Sequence, residues 1–224
     1  MERKYYEAYD DRYRQVHGEN LQWFASTPSP IVGEILVRYN INGKMLEIGC
    51  GEGRDAGFLL ERGYDVLATD VSPAAVAYAR KRFPAFAGRF GVLDCLTEKL
   101  PEKFDFIYAV AVIHMLVPDE DRNGFYRFIR EHLAPKGMAL ICTMGNGEWE
   151  MQSDISTAFD VQKRIHEPTG REVEIAGTSC CMVGWETFRR ELAENGLAII
   201  ESGITAVEPD FPQMMYALVE NSKM

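Results

Sequence analysis

The sequence predicts a single α/β domain in which a seven-stranded, mostly parallel sheet lies between two layers of helices. Three observations lead to this fold class. Short apolar runs alternate with amphipathic stretches along the chain, which is the pattern of parallel strands joined by crossover helices. A glycine-rich turn, Gly49-Cys50-Gly51-Glu52-Gly53, connects the first apolar run to the first amphipathic stretch. The length of 224 residues fits one domain, at roughly 150 residues per domain.

The first two thirds of the chain carry the regular alternation. A strand over residues 44–48 enters the glycine-rich turn, and a helix over 54–62 follows, ended by Gly63 as a left-handed cap. Ser72-Pro73 opens the next helix as a cap and a first-turn proline, and Asp119 caps a helix that runs to about residue 133. The other strands of this part are predicted at 65–69, 89–93, 104–112 and, after the turn Pro135-Lys136-Gly137, 138–143.

The alternation breaks after the fifth strand. Residues 145–183 separate that strand from the next helix, which is predicted at 185–195. Segments of more than ~15 residues without secondary structure are rare in compact domains unless they are lids or binding loops. Within this insertion, 171–175 and 179–183 are expected to pair as a hairpin.

The end of the chain completes the predicted domain. Two last strands, 198–201 and 214–220, have no convincing helix between them, so they are expected to be antiparallel neighbours. We therefore expect one domain over 1–224, with an N-terminal helical cap over 1–40 and a substrate lid over 145–183.

The charge balance excludes some classes of partner. The chain carries 24 Lys and Arg against 34 Asp and Glu, a net charge of −10, whereas a nucleic-acid-binding surface is basic. The same balance disfavours an anionic membrane surface. The longest apolar run, residues 106–118, is shorter than the ~18 residues that a membrane span needs. We therefore expect no nucleic-acid partner and no membrane association.

Compartment and metal content are predicted from the start of the chain and from the cysteines. The first fourteen residues mix four acidic with four basic side chains, which is typical of neither a signal peptide nor a transit peptide. The five cysteines, which include the vicinal Cys180 and Cys181, show no pair of C-x-x-C spacings of the kind that binds zinc. The sequence therefore predicts reduced thiols in the cytoplasm and no metal site.

The glycine-rich turn has the features of a nucleoside site. Gly49 and Gly51 allow a sharp turn and a close approach of the backbone to a ligand, and the start of the following helix offers unpaired N–H groups. Asp70 comes seventeen residues after Gly53, at the end of the second strand, where a carboxylate can accept hydrogen bonds from both ribose hydroxyls. Together these residues predict that the chain binds a nucleoside.

The spacing within the turn favours one nucleoside cofactor over another. Dinucleotide sites use G-x-G-x-x-G, whereas this turn reads G-x-G-x-G, with Glu47 before it and Glu52 inside it. Acidic side chains suit a cationic ligand better than a pyrophosphate. S-adenosylmethionine, which carries a sulfonium and an ammonium group, fits this description, and a nicotinamide-dependent oxidoreductase is the disfavoured alternative.

The motif Glu-Ile-Gly-Cys-Gly-Glu-Gly-Arg-Asp at 47–55 resembles that of the class I S-adenosylmethionine-dependent methyltransferases, and the resemblance covers about residues 45–219. It implies a Rossmann-like three-layer sandwich with strand order 3-2-1-4-5-7-6 and an antiparallel strand 7. The turn at 134–137 is similar to the family's bend before strand five, with a lysine in place of one glycine. The motif, followed by Gly63-Tyr64-Asp65-Val66, looks most like the small-molecule branch that includes tellurite-resistance and thiopurine-type enzymes. The implied cofactor is S-adenosyl-L-methionine, with S-adenosyl-L-homocysteine as its product.

The resemblance also implies which residues hold the cofactor. Gly49 and Gly51 would back the methionine part, Asp70 would hold the ribose, and Asp94 would accept a hydrogen bond from the adenine amine. The aromatic N-terminal stretch is expected either to close over the cofactor or to pack on the sheet, and Tyr13 is its best candidate for a contact. The cofactor-binding candidates are Glu47, Gly49, Cys50, Gly51, Arg54, Asp55, Asp70, Val71, Asp94, Cys95, Ala109, Val110 and Tyr13.

Candidates for catalysis and for acceptor binding follow from position. His114 comes just after strand four, at the edge of the sheet where open α/β folds bind ligands, and it is the candidate base. The alternative is that His114 lines the site without moving a proton, because methyl transfer depends more on alignment and a dry site than on a strong acid or base. The candidates for acceptor contact, chosen by location alone, are Trp23, Trp149, Arg164 and Trp185.

The expected function is methyl transfer to a small-molecule acceptor by in-line displacement, with sulfur, nitrogen and oxygen all open as the methylated atom. A protein methyltransferase of the lysine type is one alternative, because the N-terminal stretch has some likeness to such enzymes. A protein that binds S-adenosylmethionine without transferring its methyl group is another. We expect a monomer or a homodimer.

Overall fold

The computed structural model describes residues 3–24, 27–166 and 169–222. A seven-stranded sheet forms its centre, and two short two-stranded ribbons lie outside it. The strands are β1 Met45–Ile48, β2 Val66–Asp70, β3 Phe90–Val92, β4 Phe104–Val110, β5 Leu133–Met144, β6 Met151–Gln152, β7 Val161–His166, β8 Arg171–Ala176, β9 Cys181–Met182, β10 Leu197–Val207 and β11 Phe211–Asn221. The helices are α1 Ala8–Gly18, α2 Pro30–Arg38, α3 Arg54–Leu60, α4 Pro73–Arg82, α5 Asp119–His132 and α6 Trp185–Glu194.

The sheet confirms the predicted fold class and strand order. Its strands lie in the order β10-β11-β5-β4-β1-β2-β3, in which β10 and β11 take the places of the sixth and seventh strands. Strands β1 to β5 pair in parallel, and β11 runs antiparallel to both β5 and β10. The protein therefore has the Rossmann-like topology with a reversed last strand. β10 and β11 each extend over eleven residues and are longer than predicted.

Side chains alternate between two hydrophobic cores, one on each face of the sheet. In β4, Ile107 packs into the core beneath α5 and α6, whereas Tyr108 packs into the core beneath α2, α3 and α4. Phe125 of α5 and Phe188 of α6 are fully buried in the first core, and Ile35 of α2 is fully buried in the second. Because strands that are buried on both faces need helices on both sides, this alternation produces the three layers.

Local capping explains where most helices begin and end. The Ser72 hydroxyl accepts a hydrogen bond from the Ala75 N–H (3.1 Å), so it caps α4 as predicted. Gly63 and Gly196 have positive φ angles after α3 and α6. The prediction that Asp119 caps α5 is wrong by one position, because the helix begins at Asp119 itself. The predicted turn at 135–137 lies within the span of β5, where Lys136 takes a positive φ of 69°.

The insertion differs from the predicted hairpin. β8 pairs with β7 through the turn that contains Gly170, whereas β9 pairs with β6. Residues 176–179 are used instead to hold α1, since the Arg12 guanidinium donates to the Ala176 and Gly177 carbonyls and the Tyr9 hydroxyl donates to the Ser179 carbonyl. The predicted pairing of 171–175 with 179–183 is therefore wrong.

The insertion packs on the outer surface of α1. Val16 of α1 is fully buried against Val173 and Ile175 of β8, and the Gln15 side chain accepts a hydrogen bond from the Ala176 N–H (2.7 Å). α1 thus lies between the insertion and the sheet. Within the described ranges, none of the helices is both long and apolar enough for a membrane span.

Candidate functional site

The turn after β1 brings the backbone close to Val112, which follows β4, and to Tyr13 of α1. Gly49 and Gly51 have φ angles of 71° and 51°, a region that side-chain-bearing residues seldom adopt. A Cβ atom on Gly49 would lie 2.4 Å from Val112 Cγ2, and one on Gly51 would lie 2.7 Å from the Tyr13 hydroxyl oxygen. Glycine is therefore required at both positions, by conformation and by space.

Asp70, at the end of β2, lies beside this turn. One carboxylate oxygen accepts a hydrogen bond from the Gly51 N–H (2.8 Å), and the other accepts from the Ser72 N–H (2.8 Å). The side chain is buried, and burial raises the pKa of Asp70 to about 6 although both backbone hydrogen bonds act to lower it. Each oxygen keeps a lone pair for a further donor.

Glu47 and Glu52 differ in what they contact. Glu47 is buried and accepts from the Tyr108 hydroxyl (3.2 Å), and burial together with the charge of Asp55 raises the pKa of Glu47 well above its usual range. Glu52 accepts from the backbone N–H groups of Trp23 (2.7 Å) and Phe24 (3.1 Å). It also lies 2.8 Å from His17 Nε2. Glu52 therefore ties the N-terminal segment to the glycine-rich turn.

α1 and the residues before it close over the turn. Asp10 accepts from the Ser72 hydroxyl (2.7 Å) and from the Ala74 N–H (2.9 Å), which fastens α1 to the start of α4. The Tyr6 hydroxyl donates to the Asp94 carboxylate (3.0 Å). Tyr13 is buried, and its hydroxyl oxygen lies beside Gly51. Burial raises the pKa of Tyr13 well above its usual value, so its hydroxyl keeps its proton.

The segments named above enclose one cavity. It runs from the glycine-rich turn, past the ends of β2 and β4, to the start of β11, and α1 closes it on one side. The cofactor candidates that line it are Glu47, Gly49, Cys50, Gly51, Arg54, Asp55, Asp70, Val71, Asp94, Cys95, Val110 and Tyr13. Ala109, the remaining candidate, lies instead in the hydrophobic core beneath α5.

Asp94 marks one end of the cavity. Its carboxylate accepts from the Thr97 hydroxyl (2.8 Å) and the Leu96 N–H (3.0 Å) in addition to Tyr6. Apolar Leu93 and Leu96 line the cavity beside it. Apolar side chains beside a carboxylate suit a purine ring with an exocyclic amine.

Four residues that were not predicted as site residues also line the cavity. Tyr9, Phe24, Met115 and Phe211 all line it, and the rings of Phe24 and Phe211 lie 5.6 Å apart. The aromatic N-terminal stretch was a signal for Tyr9 and Phe24. Nothing in the local sequence marks Phe211, since the turn between β10 and β11 brings it here.

His114 does not occupy the position expected of a base. Its side chain is 4% exposed, it lies outside the described lining of the cavity, and it packs against Phe211 with ring centroids 6.3 Å apart. Burial, with smaller contributions from the charges of Arg122 and Arg12, lowers the pKa of His114 to about 3. The imidazole is therefore neutral at physiological pH and only weakly basic.

The candidates for acceptor contact are not gathered at the cavity. Trp149 is 67% exposed, and Arg164 is exposed and donates to the Gln162 side chain (3.0 Å). Trp185 packs beside Phe188 of α6. Trp23 comes directly before Phe24, which lines the cavity, but Trp23 itself is not among the described lining residues. The insertion contributes no described residue to the lining, and it contacts α1 on the side away from the cavity instead.

Two further predictions concern cysteines and metals. All five cysteines are free thiols, including the neighbouring Cys180 and Cys181. Among the residues that the structure describes, no group of three or more His, Cys, Asp or Glu side chains is placed to hold a metal ion.

Comparison with known proteins identifies relatives of the central segment. Residues 46–139 match the protein family described as "Methyltransferase domain". The chain is 44% identical over 126 residues to hemagglutinin 1 of Eikenella corrodens, a match that covers 52% of this chain and 39% of that protein. It is 25% identical over 165 residues to malonyl-[acyl-carrier protein] O-methyltransferase of Acetivibrio thermocellus, covering 69% of this chain and 56% of that protein. The chain thus spans about two fifths to just over half of the length of these relatives.

A solved structure shares the fold. The glycopeptide N-methyltransferase crystallised with sinefungin superimposes with a TM-score of 0.66 at 22% identity, over 89% of this chain and 88% of that one. The same enzyme has been crystallised with S-adenosyl-L-methionine and with S-adenosyl-L-homocysteine. At this level of identity the likeness concerns the fold.

Proposed function

We propose that the chain is a class I methyltransferase that transfers a methyl group from S-adenosylmethionine to a small-molecule acceptor, since residues 46–139 match the family described as "Methyltransferase domain" and the sheet has the topology expected of that class. The observation that carries the proposal is the meeting of Gly49, Gly51, Asp70 and Asp94 in one cavity. Three separate strand ends supply these residues, and each has the chemistry that a different part of this nucleoside requires.

The residues fit the cofactor. Gly49 and Gly51 give the tight turn that places its backbone on the wall of the cavity. Asp70 offers carboxylate lone pairs for two ribose hydroxyls, and Asp94 lies beside the apolar side chains that suit adenine. S-adenosylmethionine supplies a methyl group on a sulfonium sulfur, which an acceptor nucleophile displaces in line. The remaining lining candidates, Glu47, Cys50, Arg54, Asp55, Val71, Cys95, Val110 and Tyr13, are proposed as further cofactor contacts.

The protein's own contribution is to orient the reactants and to exclude water. Tyr9, Tyr13 and Phe24 close the cavity beside the glycine-rich turn, and the insertion supports α1 from outside. A sulfonium loses its charge during transfer, so a site with little water and an apolar wall lowers the barrier. We do not propose His114 as a base, because its side chain is buried beside Phe211 and outside the described lining of the cavity.

A small-molecule acceptor is supported by how the cavity is closed. α1 lines one side of the cavity, and the insertion packs on the outer surface of α1, so this side of the cavity lies beneath two segments of the chain. The relatives are named as an O-methyltransferase and an N-methyltransferase, so the acceptor atom stays open. The cytoplasm is the proposed location, supported by the five free thiols. The state of assembly, monomer or homodimer, stays a prediction.

Methyl-labelled S-adenosylmethionine tests the proposal. We expect label in the organic extract when the protein is incubated with a mixed panel of thiol, amine, phenol and carboxylate acceptors. Label found only in the proteins of a cell lysate would contradict the small-molecule acceptor. S-adenosylhomocysteine binding without transfer to any acceptor would identify a binding protein instead.

A further inference from the structure

We infer that Arg122, a residue of α5 outside the cavity, is a positioning residue for methyl transfer because it holds part of the cavity wall in place. The wall in question is residues 112–117, which follow β4 and which we call the post-β4 segment. Val112, Met115 and Leu116 of this segment line the cavity, whereas Arg122 is not among the described lining residues. The role concerns methyl transfer and therefore rests on the proposed function.

The Arg122 guanidinium joins α5, α6 and the post-β4 segment. Its Nε and one terminal nitrogen donate to the two carboxylate oxygens of Glu191 on α6 (2.8 and 2.7 Å). The other terminal nitrogen donates to the Ile113 carbonyl (3.0 Å) and to the Leu116 carbonyl (3.3 Å). A planar fork of donors fits a carboxylate in one orientation, so Glu191 fixes the guanidinium plane. The guanidinium in turn fixes two carbonyls of the post-β4 segment.

This network lies in the interior of the protein. Arg122 is 1% exposed and Glu191 is 9% exposed, and the buried Tyr126 hydroxyl also donates to the Glu191 carboxylate (2.7 Å). A buried ion pair gives little stability beyond that of well-packed apolar side chains. Apolar side chains could not, however, supply donors to the two carbonyls. The network therefore has a use that packing alone does not explain.

Two other parts of the chain also bind the post-β4 segment. The Ser179 hydroxyl of the insertion donates to the Met115 carbonyl (2.7 Å). The Val117 N–H donates to the Tyr5 hydroxyl (3.1 Å), which itself donates to Asp121 of α5 (2.8 Å). Side chains from α5, from the insertion and from the residues before α1 thus bind the backbone of this segment.

A strained residue precedes the post-β4 segment. Ala111 lines the cavity and has a φ angle of 60°, which residues other than glycine seldom adopt. A conformation of this kind persists only where the surrounding contacts enforce it. Loss of the Arg122 contacts would let Ala111 relax and would move the wall that Met115 and Leu116 form.

A displaced wall affects transfer more than it affects nucleoside binding. In-line displacement requires close alignment of the reacting atoms, and a misplacement of about 1 Å lowers the rate by about 100-fold. Gly51 and Asp70, which are proposed to hold the nucleoside, belong to other segments and bind each other at 2.8 Å. We therefore expect Arg122 to influence kcat more strongly than the affinity for S-adenosylhomocysteine.

An apolar replacement of the network tests this role. The triple variant Arg122→Met, Tyr126→Phe, Glu191→Leu keeps the packing but removes the donors to the two carbonyls. We expect kcat to fall by about 10- to 100-fold and S-adenosylhomocysteine affinity, measured by calorimetry, to stay within about threefold of the wild-type value. Arg130→Met is the matched control, since Arg130 also lies on α5 and donates to a carbonyl, that of Asn195 after α6 (3.4 Å).

Wild-type kcat in the folded triple variant would overturn the positioning role, and so would an equal loss of kcat in Arg130→Met. If the triple variant does not fold, Arg122→Lys replaces it, because lysine keeps the charge for Glu191 but lacks the planar fork that also reaches both carbonyls. Failure of the wild-type protein to bind S-adenosylhomocysteine would count against the proposed function instead.

The Met115 side chain gives a second readout that needs no turnover. With ¹³C-labelled methionine methyl groups, assigned through Met→Leu variants, we expect one sharp Met115 signal in the wild-type complex with S-adenosylhomocysteine. In Arg122→Lys this signal should shift or broaden, whereas that of Met45, fully buried in β1, should not change. An unchanged Met115 signal in folded Arg122→Lys would overturn the inference whatever the activity.

Discussion

The backbone N–H of Gly51 donates a 2.8 Å hydrogen bond to the carboxylate of Asp70, so the turn after β1 is fixed to the end of β2. The second carboxylate oxygen is held by the Ser72 N–H, also at 2.8 Å. The two backbone donors fix the orientation of the carboxylate, which lines the cavity.

Replacement of Asp70 is expected to weaken nucleoside binding. Asp70→Asn keeps the size of the side chain but removes the charge that two ribose hydroxyls would use. Because a hydrogen bond to a charged group contributes about 1.5–3 kcal/mol, we expect a loss of roughly 10- to 100-fold in S-adenosylhomocysteine affinity by calorimetry. Asp65→Asn, at an exposed ion pair with Arg89, is the matched control and should bind as the wild type does. Unchanged affinity in Asp70→Asn would show that this carboxylate does not hold the ligand.

Binding is also expected to depend on pH through the same residue. Burial raises the pKa of Asp70 to about 6, and the ribose hydroxyls would donate to the ionised form. Below pH 6 the ligand must displace a proton, so affinity should fall by up to about tenfold per pH unit, and it should level off above about pH 7. Calorimetric titrations from pH 5 to 8 measure this profile. A flat profile in the wild-type protein, equal to that of Asp70→Asn, would refute the assignment.

Loss of the His114 side chain is expected to leave turnover nearly intact. His114→Leu removes a buried imidazole whose Nδ1 has no partner, and a neutral, buried ring with a pKa of about 3 contributes little as a base. We expect kcat within about threefold of the wild-type value and a melting temperature that does not fall, since an unsatisfied buried polar atom is removed. A drop of more than about 100-fold in kcat, with S-adenosylhomocysteine affinity preserved, would instead make His114 the base.

The closure of the N-terminal segment is expected to depend on Glu52. Glu52→Gln removes the negative charge that holds the Trp23 and Phe24 N–H groups. Amide hydrogen exchange at these two residues should become roughly tenfold faster, because a charge-assisted bond is about twice as strong as a neutral one. Glu19→Gln, which loses only an exposed pair with Arg171, is the control. Equal protection of the two amides in wild type and Glu52→Gln would mean that other contacts hold this segment.

Local sequence was enough to predict the part of the site that we assign to the nucleoside. The turn at Gly49 and Gly51 and the acid at Asp70 follow directly from a strand, a glycine spacing and a second strand, and parallel strands bring their carboxyl ends together. The turn and the acid depend on segments that are close in sequence or fixed by the handedness of crossovers. The sheet order was predicted from the resemblance to the methyltransferase family rather than from the local sequence.

The part of the cavity wall that Phe24 and Phe211 form was not predictable, because distant segments supply it. Phe211 arrives through the β10–β11 turn, and its neighbour Phe24 comes from the opposite end of the chain. The strand pairing inside the insertion depends on contacts with α1. The Arg12 and Tyr9 side chains of α1 bind backbone carbonyls within residues 176–179. The burial of His114 likewise depends on Phe211 and on Arg122, whose guanidinium donates to the Ile113 carbonyl (3.0 Å).

Calorimetric titration of the wild-type protein with S-adenosyl-L-homocysteine at pH 7.5 is the decisive measurement. We expect saturable binding of one ligand per chain, with a dissociation constant in the micromolar range or below, and no competition from a nicotinamide dinucleotide. An absence of binding at millimolar ligand, or a preference for the dinucleotide, would contradict the assignment of the Gly49–Gly51 turn and Asp70 to this cofactor.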